Sequence, residues 1–227
     1  RTSGFFKERS LRNKVHDYLA KIKNDSHMVL NYLELIKMLK VSNKKNMELI
    51  KLKYSPSDLK TVKGLIGLKK DFIAVHPCTL MSYKSQSKAW SKKKYAEVIG
   101  HLANRGEKVV IIGSPSEVES VNKLINCLSR ETASKIINLT GKLNLPQTFA
   151  LMTRLKLFIA NDGGPMHIAA AMGVPTIGIF GLETPIRYGP FNKKSEFIFH
   201  PNNANPLESI SVEEVLAKVE KMLKKNK

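Results

Sequence analysis

Cysteine is nearly missing from this chain: two residues in 227, Cys78 and Cys127, with no metal-ligand spacing between them. That excludes a disulfide framework and a thiolate zinc site, and it fits a reducing cytoplasm. Cys127 falls on an apolar helical face and is expected in the core. Cys78 follows a strand and is expected to line a cleft with nothing nearby to activate it. Acidic side chains are also scarce, 19 Asp and Glu against 38 Lys and Arg, for a formal charge of +19. Such a field favours phosphorylated small molecules, nucleic acid or an acidic membrane surface. A solvated lysine-rich surface is the plainer account of much of it, since runs such as Ser91-Lys92-Lys93-Lys94 fall at helix ends.

Several phosphate-binding signatures are missing too. No G-x-G-x-x-G follows the first strand of the main repeat, against a dinucleotide dehydrogenase, and no G-x-x-x-x-G-K-[ST] is present, against a P-loop protein. No basic helix interleaved with aromatics supports a nucleic-acid module. No signal-peptide pattern opens the chain, which starts Arg1-Thr2-Ser3-Gly4. One uncharged stretch, Gly163 to Leu182, has the length of a membrane span. Its glycines, two prolines and His167 make it a short helix followed by a buried strand instead.

What remains is an ordinary globular composition, 42% hydrophobic and 25% charged. From residue 71 onward short apolar runs alternate with amphipathic helical patterns, the mark of a doubly wound α/β parallel sheet. Phe72–Val75, Val109–Ile112, Ile136–Leu139, Leu157–Ala160 and Thr176–Phe180 read as strands, with Phe197–Phe199 as an edge strand. Between them come a helix capped by Ser91 and ended by Gly106, another opened by the capping box Ser114-Pro115-Ser116-Glu117, a short one opened by Asn144 and Pro146, and Pro165–Met172. Val212–Leu223 closes the domain. Residues 71–227 thus form one Rossmann-like domain. Residues 1–70 differ: an amphipathic helix from His27 to Lys40, a helix capped by Ser55-Pro56-Ser57-Asp58, and Gly4-Phe5-Phe6 as a single stub of strand.

Open α/β sheets bind ligands at the carboxyl ends of their strands, against helix N-termini. Ile159 to His167 offers such a place. A buried strand ends, Gly163 and Gly164 let a ligand approach the backbone, and a small-residue helix begins. Its first amides and its dipole suit a diphosphate. Pro165 lacks an N–H, so the useful donors are Gly163, Gly164 and Met166. The plain account of Asp162 is an N-cap, and of His167 a satisfied core histidine. The second candidate is the loop His76–Trp90, where Thr79 and Lys88 could reach a phosphate; the alternative is a solvated loop with Trp90 as its packing anchor. Glu117 completes a capping box, yet it stands beyond a strand's carboxyl end, where a ribose diol could be held bidentately.

Three features in order, K-x-W before Y-A-E-V-I, N-L-T-G-K-x-x-L, and N-D-G-G-P-M-H-I-A-A-A-M-G-V-P-T followed by F-G, resemble glycosyltransferase family 9, the ADP-heptose:lipopolysaccharide heptosyltransferases. The resemblance covers essentially the whole chain. It implies a GT-B fold of two Rossmann-like domains, with residues 71–227 as the nucleotide-sugar donor domain and residues 1–70 as the tail of an acceptor domain plus linker helices. Carried across, Thr79 and Lys88 would hold donor phosphates, Glu117 the adenosine ribose and Leu143 the base. Asp162 would contact the sugar, with Gly163, Gly164, Met166 and His167 around the diphosphate. The family inverts the anomeric centre without metal or other cofactor, and its general base would lie upstream of Arg1, so this chain is expected to bind donor without turning it over. Implied partners are an ADP-sugar, a lipid-linked oligosaccharide acceptor and a peripheral, cytoplasmic-face contact with anionic membrane; no nucleic acid is expected. Three positions depart from the pattern: Cys78 replaces a glycine, Gly163 a Ser or Thr, and Gly181-Leu182-Glu183-Thr184-Pro185 the common G-P-T-x-P.

Two other readings stay open. A nucleotide-sugar epimerase shares the architecture and would differ in a catalytic set spanning both halves. A non-catalytic nucleotide- or nucleic-acid-binding module would show duplex binding steeply weakened by salt and no affinity for ADP-sugars.

Overall fold

The computed structural model describes residues 3–6, 18–38, 52–78, 89–181 and 183–225. It opens on two short parallel strands, β1 (Ser3–Phe6) and β2 (Tyr18–Lys21), followed by helix α1 (Met28–Met38). The stub at Gly4-Phe5-Phe6 therefore has a partner strand that the sequence reading missed, because the four residues Tyr-Leu-Ala-Lys carry too little pattern to separate strand from helix. Buried Asn31 ties the turn after β2 to α1: its Oδ1 accepts from Lys23 N–H (2.8 Å) and its Nδ2 donates to Lys23 O (3.1 Å). Leu39 and Lys40, at the expected end of this helix, lie outside the described residues.

Helix α2 (Pro56–Ile66) begins as expected, with Asp58 N–H donating to Ser55 Oγ (3.1 Å) and Ser55 N–H to Asp58 Oδ2 (2.8 Å). Strand β3 (Phe72–His76) then enters the main sheet, followed by α3 (Lys92–Asn104) and β4 (Val109–Ile111). A 3-10 turn (Pro115–Glu117) leads into α4 (Val118–Ile125), and α5 (Arg130–Ser134) precedes β5 (Ile136–Asn138). Next come α6 (Leu145–Met152), β6 (Leu155–Asn161), α7 (Gly164–Ala171) and β7 (Thr176–Phe180). The chain finishes with α8 (Pro185–Tyr188), β8 (Glu196–Phe199), α9 (Pro206–Ser209) and α10 (Val212–Lys225).

The six strands are all parallel, in the order β5-β4-β3-β6-β7-β8. The chain walks outward from β3 to β5, returns beside β3 with β6, and walks outward the other way. This doubly wound order leaves a crevice where the direction of winding reverses, between β3 and β6. Alternate strand residues serve opposite faces. Ile73, Val75, Val109, Ile111, Leu157 and Ile159 pack with α3, α4 and α10, while Phe72, Ala74, Val110, Phe158 and Ala160 pack with α2, α6 and α7. Helices on both faces explain why the central strands are apolar without alternation. Val62 and Ile66 of α2 belong to that second core.

Two local expectations are corrected. Ser91 stands at the start of α3, but its side chain makes no capping bond; its carbonyl accepts from Tyr95 N–H (2.9 Å) instead. Cys127 is exposed, not core, because α4 stops at Ile125 and the chain turns before a further helical step could carry it inward. Its thiol donates to Lys123 O (3.4 Å). The uncharged stretch from Gly163 resolves into α7 and β7, separated at Gly173 (φ +77°). Among the described residues no helix is long and apolar enough to cross a membrane.

Candidate functional site

The carboxyl ends of β3, β4, β5 and β6 surround a cleft of about 560 Å³. Each strand end contributes: His76 and Cys78 after β3, Gly113 to Glu117 after β4, Leu139 and Leu143 after β5, and Asp162 to Pro165 after β6. Leu143, Leu145 and Ile168 give it an apolar lining, and Glu117 and the start of a helix give it a polar one.

The helix start is α7. Its N-cap is Gly163, not Asp162, and no side chain caps it. Asp162 N–H donates to Ile179 O (3.1 Å), which fixes the exit of β6 against β7. Met166 N–H donates to Gly163 O (3.1 Å), so this expected free donor is already used. Among the described residues no acceptor meets the amides of Gly163 and Gly164. Those two groups, with the positive end of the helix, make a ready anion site.

The glycines themselves carry information. Gly163 is extended (φ 175°, ψ 175°), a conformation any residue adopts. A Cβ there would reach nothing closer than 4.0 Å, and at Gly164 it would meet nothing within 4 Å. Neither backbone strain nor packing of the described residues therefore demands glycine here. The open space leaves both backbones accessible from the cleft.

Glu117 lines the same cleft after β4, buried, with a dense set of donors. Ser114 N–H (2.6 Å), Ser114 Oγ–H (2.9 Å) and His76 Nε2–H (3.3 Å) all reach its Oε2. A carboxylate only accepts, which places the proton on His76 Nε2. Burial alone would raise the Glu117 pKa; the His76 hydrogen bond and charge, with the two Ser114 donors, outweigh it and bring it to about 2. Among the described residues nothing donates to Oε1. Gly113 allows this corner to close, since a Cβ there would lie 2.9 Å from Thr140 Cγ2 and 3.0 Å from Glu117 Oε2. Burial raises the pKa of Cys78, and the Glu117 charge adds to that over an opposing hydrogen bond from Ser120, so the thiol stays protonated.

Glu117, Leu143, Asp162, Gly163 and Gly164 are thus brought together on one cleft. Met166 is not among them: it is fully buried beneath the sheet, beside Gly178. His167 faces a different cavity of about 420 Å³, on the α1 side of α7, with Tyr32, Arg187 and Tyr188. Helical geometry explains both, because three and four residues beyond the N-cap the side chains turn away from the helix mouth. Thr79 and Lys88 fall outside the described residues.

Asn161 was missed by the sequence reading. Buried at the end of β6, its Nδ2 donates to Pro77 O (3.1 Å), and its Oδ1 accepts from Trp90 N–H (3.0 Å) and Tyr95 O–H (3.1 Å). It joins residues 77 and 90 across the sheet. A polar residue closing the apolar run Leu157–Ala160 was the available signal. Trp90 is the anchor expected of it, fully buried, donating from Nε1 to Ile210 O (3.1 Å) and stacked edge-on with Tyr95.

The fold is a doubly wound α/β domain with a cleft at its strand ends, and comparison with known proteins makes the family specific. The family model for glycosyltransferase family 9 (heptosyltransferase) matches residues 2–216, and the chain belongs to that family. Lipopolysaccharide heptosyltransferase 2 of Salmonella typhimurium is 33% identical over 112 residues, covering 49% of this chain and 32% of that protein. Lipopolysaccharide core heptosyltransferase OpsX of Haemophilus influenzae is 32% identical over 143 residues, covering 62% of this chain and 39% of that protein. The chain therefore aligns with about a third of the length of these relatives. Among solved structures, the glycosyl transferase family 9 protein of Veillonella parvula superposes with a TM-score of 0.80 at 23% identity, covering 95% of this chain and 65% of that one. The E. coli ADP-heptose lps heptosyltransferase II gives 0.75 at 23%, covering 91% and 65%.

Proposed function

We propose that this chain carries the donor-nucleotide site of a heptosyltransferase that transfers a heptose from an ADP-sugar to the lipopolysaccharide core. The observation that carries this reading is the pair of amides at Gly163 and Gly164, which meet no acceptor among the described residues. They open onto a cleft also lined by Glu117, whose Oε1 has no donor among the described residues, and by the apolar Leu143. The distribution fits a nucleoside diphosphate sugar: diphosphate at the start of α7, ribose hydroxyls at Glu117 Oε1, base along Leu143, sugar toward Asp162. Because three donors already occupy Oε2, the ribose is held through Oε1 and not by both oxygens. The relatives are called lipopolysaccharide heptosyltransferases, and one structural neighbour, E. coli heptosyltransferase WaaC, was solved with ADP.

In this reading the main-chain amides and the dipole of α7 stabilise the departing diphosphate, and the reaction inverts the anomeric centre without a metal. Residues 71–227 form the donor domain, and residues 1–70 belong to the acceptor domain and its linker. The lysine-rich surface suits an anionic donor and a phosphorylated lipid acceptor at the membrane face. Calorimetry of residues 1–227 with ADP, UDP and dTDP tests the core of the proposal. Saturable binding of ADP in preference to the others supports it; no binding of any nucleoside diphosphate overturns it. A transfer assay with ADP-heptose and lipopolysaccharide core tests the further expectation that residues 1–227 alone bind donor without turnover, and measurable transfer refutes it.

A further inference from the structure

Resting on the nucleotide reading above, we infer that His76 is a positioning residue for the donor ribose: its Nε2–H holds Oε2 of Glu117 and leaves Oε1 as the oxygen that receives the ribose hydroxyls. The two side chains come from different strand ends, forty-one positions apart in sequence, and meet at 3.3 Å with 5% and 8% exposure respectively. Ser114 alone cannot fix the carboxylate plane, because both its donors reach Oε2 from the same residue, three positions before Glu117. The His76 donor approaches from the end of β3, the strand beside β4, and supplies the third direction. The space behind is closed by Gly113 and Thr140, which leaves the carboxylate little room to rotate while His76 is in place. Without His76, Oε2 loses one of its three donors and the plane can turn, so that neither oxygen is reserved for the ligand.

The arrangement also explains why a histidine serves here. The group must donate to a carboxylate from the end of a buried strand and span 3.3 Å without a second positive fork competing for the ribose oxygen. A ring with one N–H aimed at Oε2 does this, whereas a lysine or arginine would bring further donors into the place of the hydroxyls.

The test uses ADP and 2′,3′-dideoxy-ADP as probes, with calorimetry on residues 1–227. His76→Phe keeps the ring and removes the donor. It is expected to weaken ADP about tenfold, the scale of losing one oriented bond to a charged group, and to leave dideoxy-ADP unchanged, since that compound has no hydroxyls to hold. Glu117→Gln should give the same pattern, and His76→Gln, which keeps an N–H, should recover part of the ADP affinity. Equal weakening of both nucleotides by His76→Phe, or of neither, overturns the role of His76 while sparing the cleft as a nucleotide site. If the unaltered chain binds no ADP, or binds both nucleotides alike, the nucleotide or ribose assignment fails and takes this inference with it. A ligand-free readout guards against misfolding: in folded His76→Phe the Glu117 carboxyl, followed by carbon NMR, should titrate at higher pH than in the unaltered chain. An unchanged midpoint counts against the inference.

Discussion

Two sets of glycines in this domain look alike in sequence and have opposite reasons to exist. At Gly178, inside β7, an added Cβ would lie 2.6 Å from Phe180 Cε2 and 2.8 Å from Met166 Sδ; at Gly113 it would press on Thr140 and Glu117. The protein's own packing excludes a side chain at both. At Gly163 and Gly164 the space is open on the protein side. The first set is needed to build the sheet and its Glu117 corner; the second, in the proposed reading, leaves the mouth of α7 clear for the diphosphate. Stability and binding should therefore separate when these positions are substituted one by one.

The largest loss of stability is expected for Gly178→Ala, about 2 kcal/mol, as the core overpacks around Phe180 and Met166. Thermal denaturation followed by circular dichroism checks it. The next effect is electrostatic. Glu117 is held at about 2 against an ordinary 4.5, so its folded-state pKa is depressed. It adds stability that is fully present above the ordinary value and is lost as pH falls toward 2, a contribution of order 2 kcal/mol. Melting temperature against pH should fall more steeply between pH 5 and 2 in the unaltered chain than in Glu117→Gln; parallel curves would break the assignment. Gly113→Ala should lower stability by about 1 kcal/mol and weaken ADP as well, because the intruding Cβ displaces the Glu117 carboxylate. Gly164→Ala closes the series. Its stability should lie within about 0.5 kcal/mol of the parent, alanine being the better helix former, while ADP binding falls about tenfold. If Gly164→Ala instead unfolds the domain, or Gly178→Ala leaves it untouched, the distinction between the two sets is lost.

The same division runs through what could be read in advance. The main strands were legible because a parallel sheet covered on both faces needs unbroken apolar runs, and Phe72–Val75, Thr176–Phe180 and their neighbours are such runs. The helix starts at Ser55, Ser114 and Asn144 were legible because a cap and the residues just after it are neighbours in sequence. β2 was not, since four residues hold too little periodicity, and Cys127 was misplaced because helical spacing says nothing of where the helix stops. At the site, Gly163, Gly164, Asp162 and Glu117 stood out as strand-end residues, whereas the use of the Met166 amide by Gly163 O and the turn of His167 toward α1 depend on the path of the first helical turn.

The sequence by itself determined the layering of the sheet, the glycine pair at the start of α7 and the family, because those depend on local pattern and on a long contiguous motif. Only the tertiary structure decided which strand ends meet. The pairing of β4 beside β3 brings His76 to Glu117, the return of β6 on the other side of β3 sets Asn161 between Pro77 and Trp90, and together they join four separate segments into one cleft. Such contacts link residues dozens of positions apart, and no spacing along the chain encodes them; they arise from the order in which parallel strands pack.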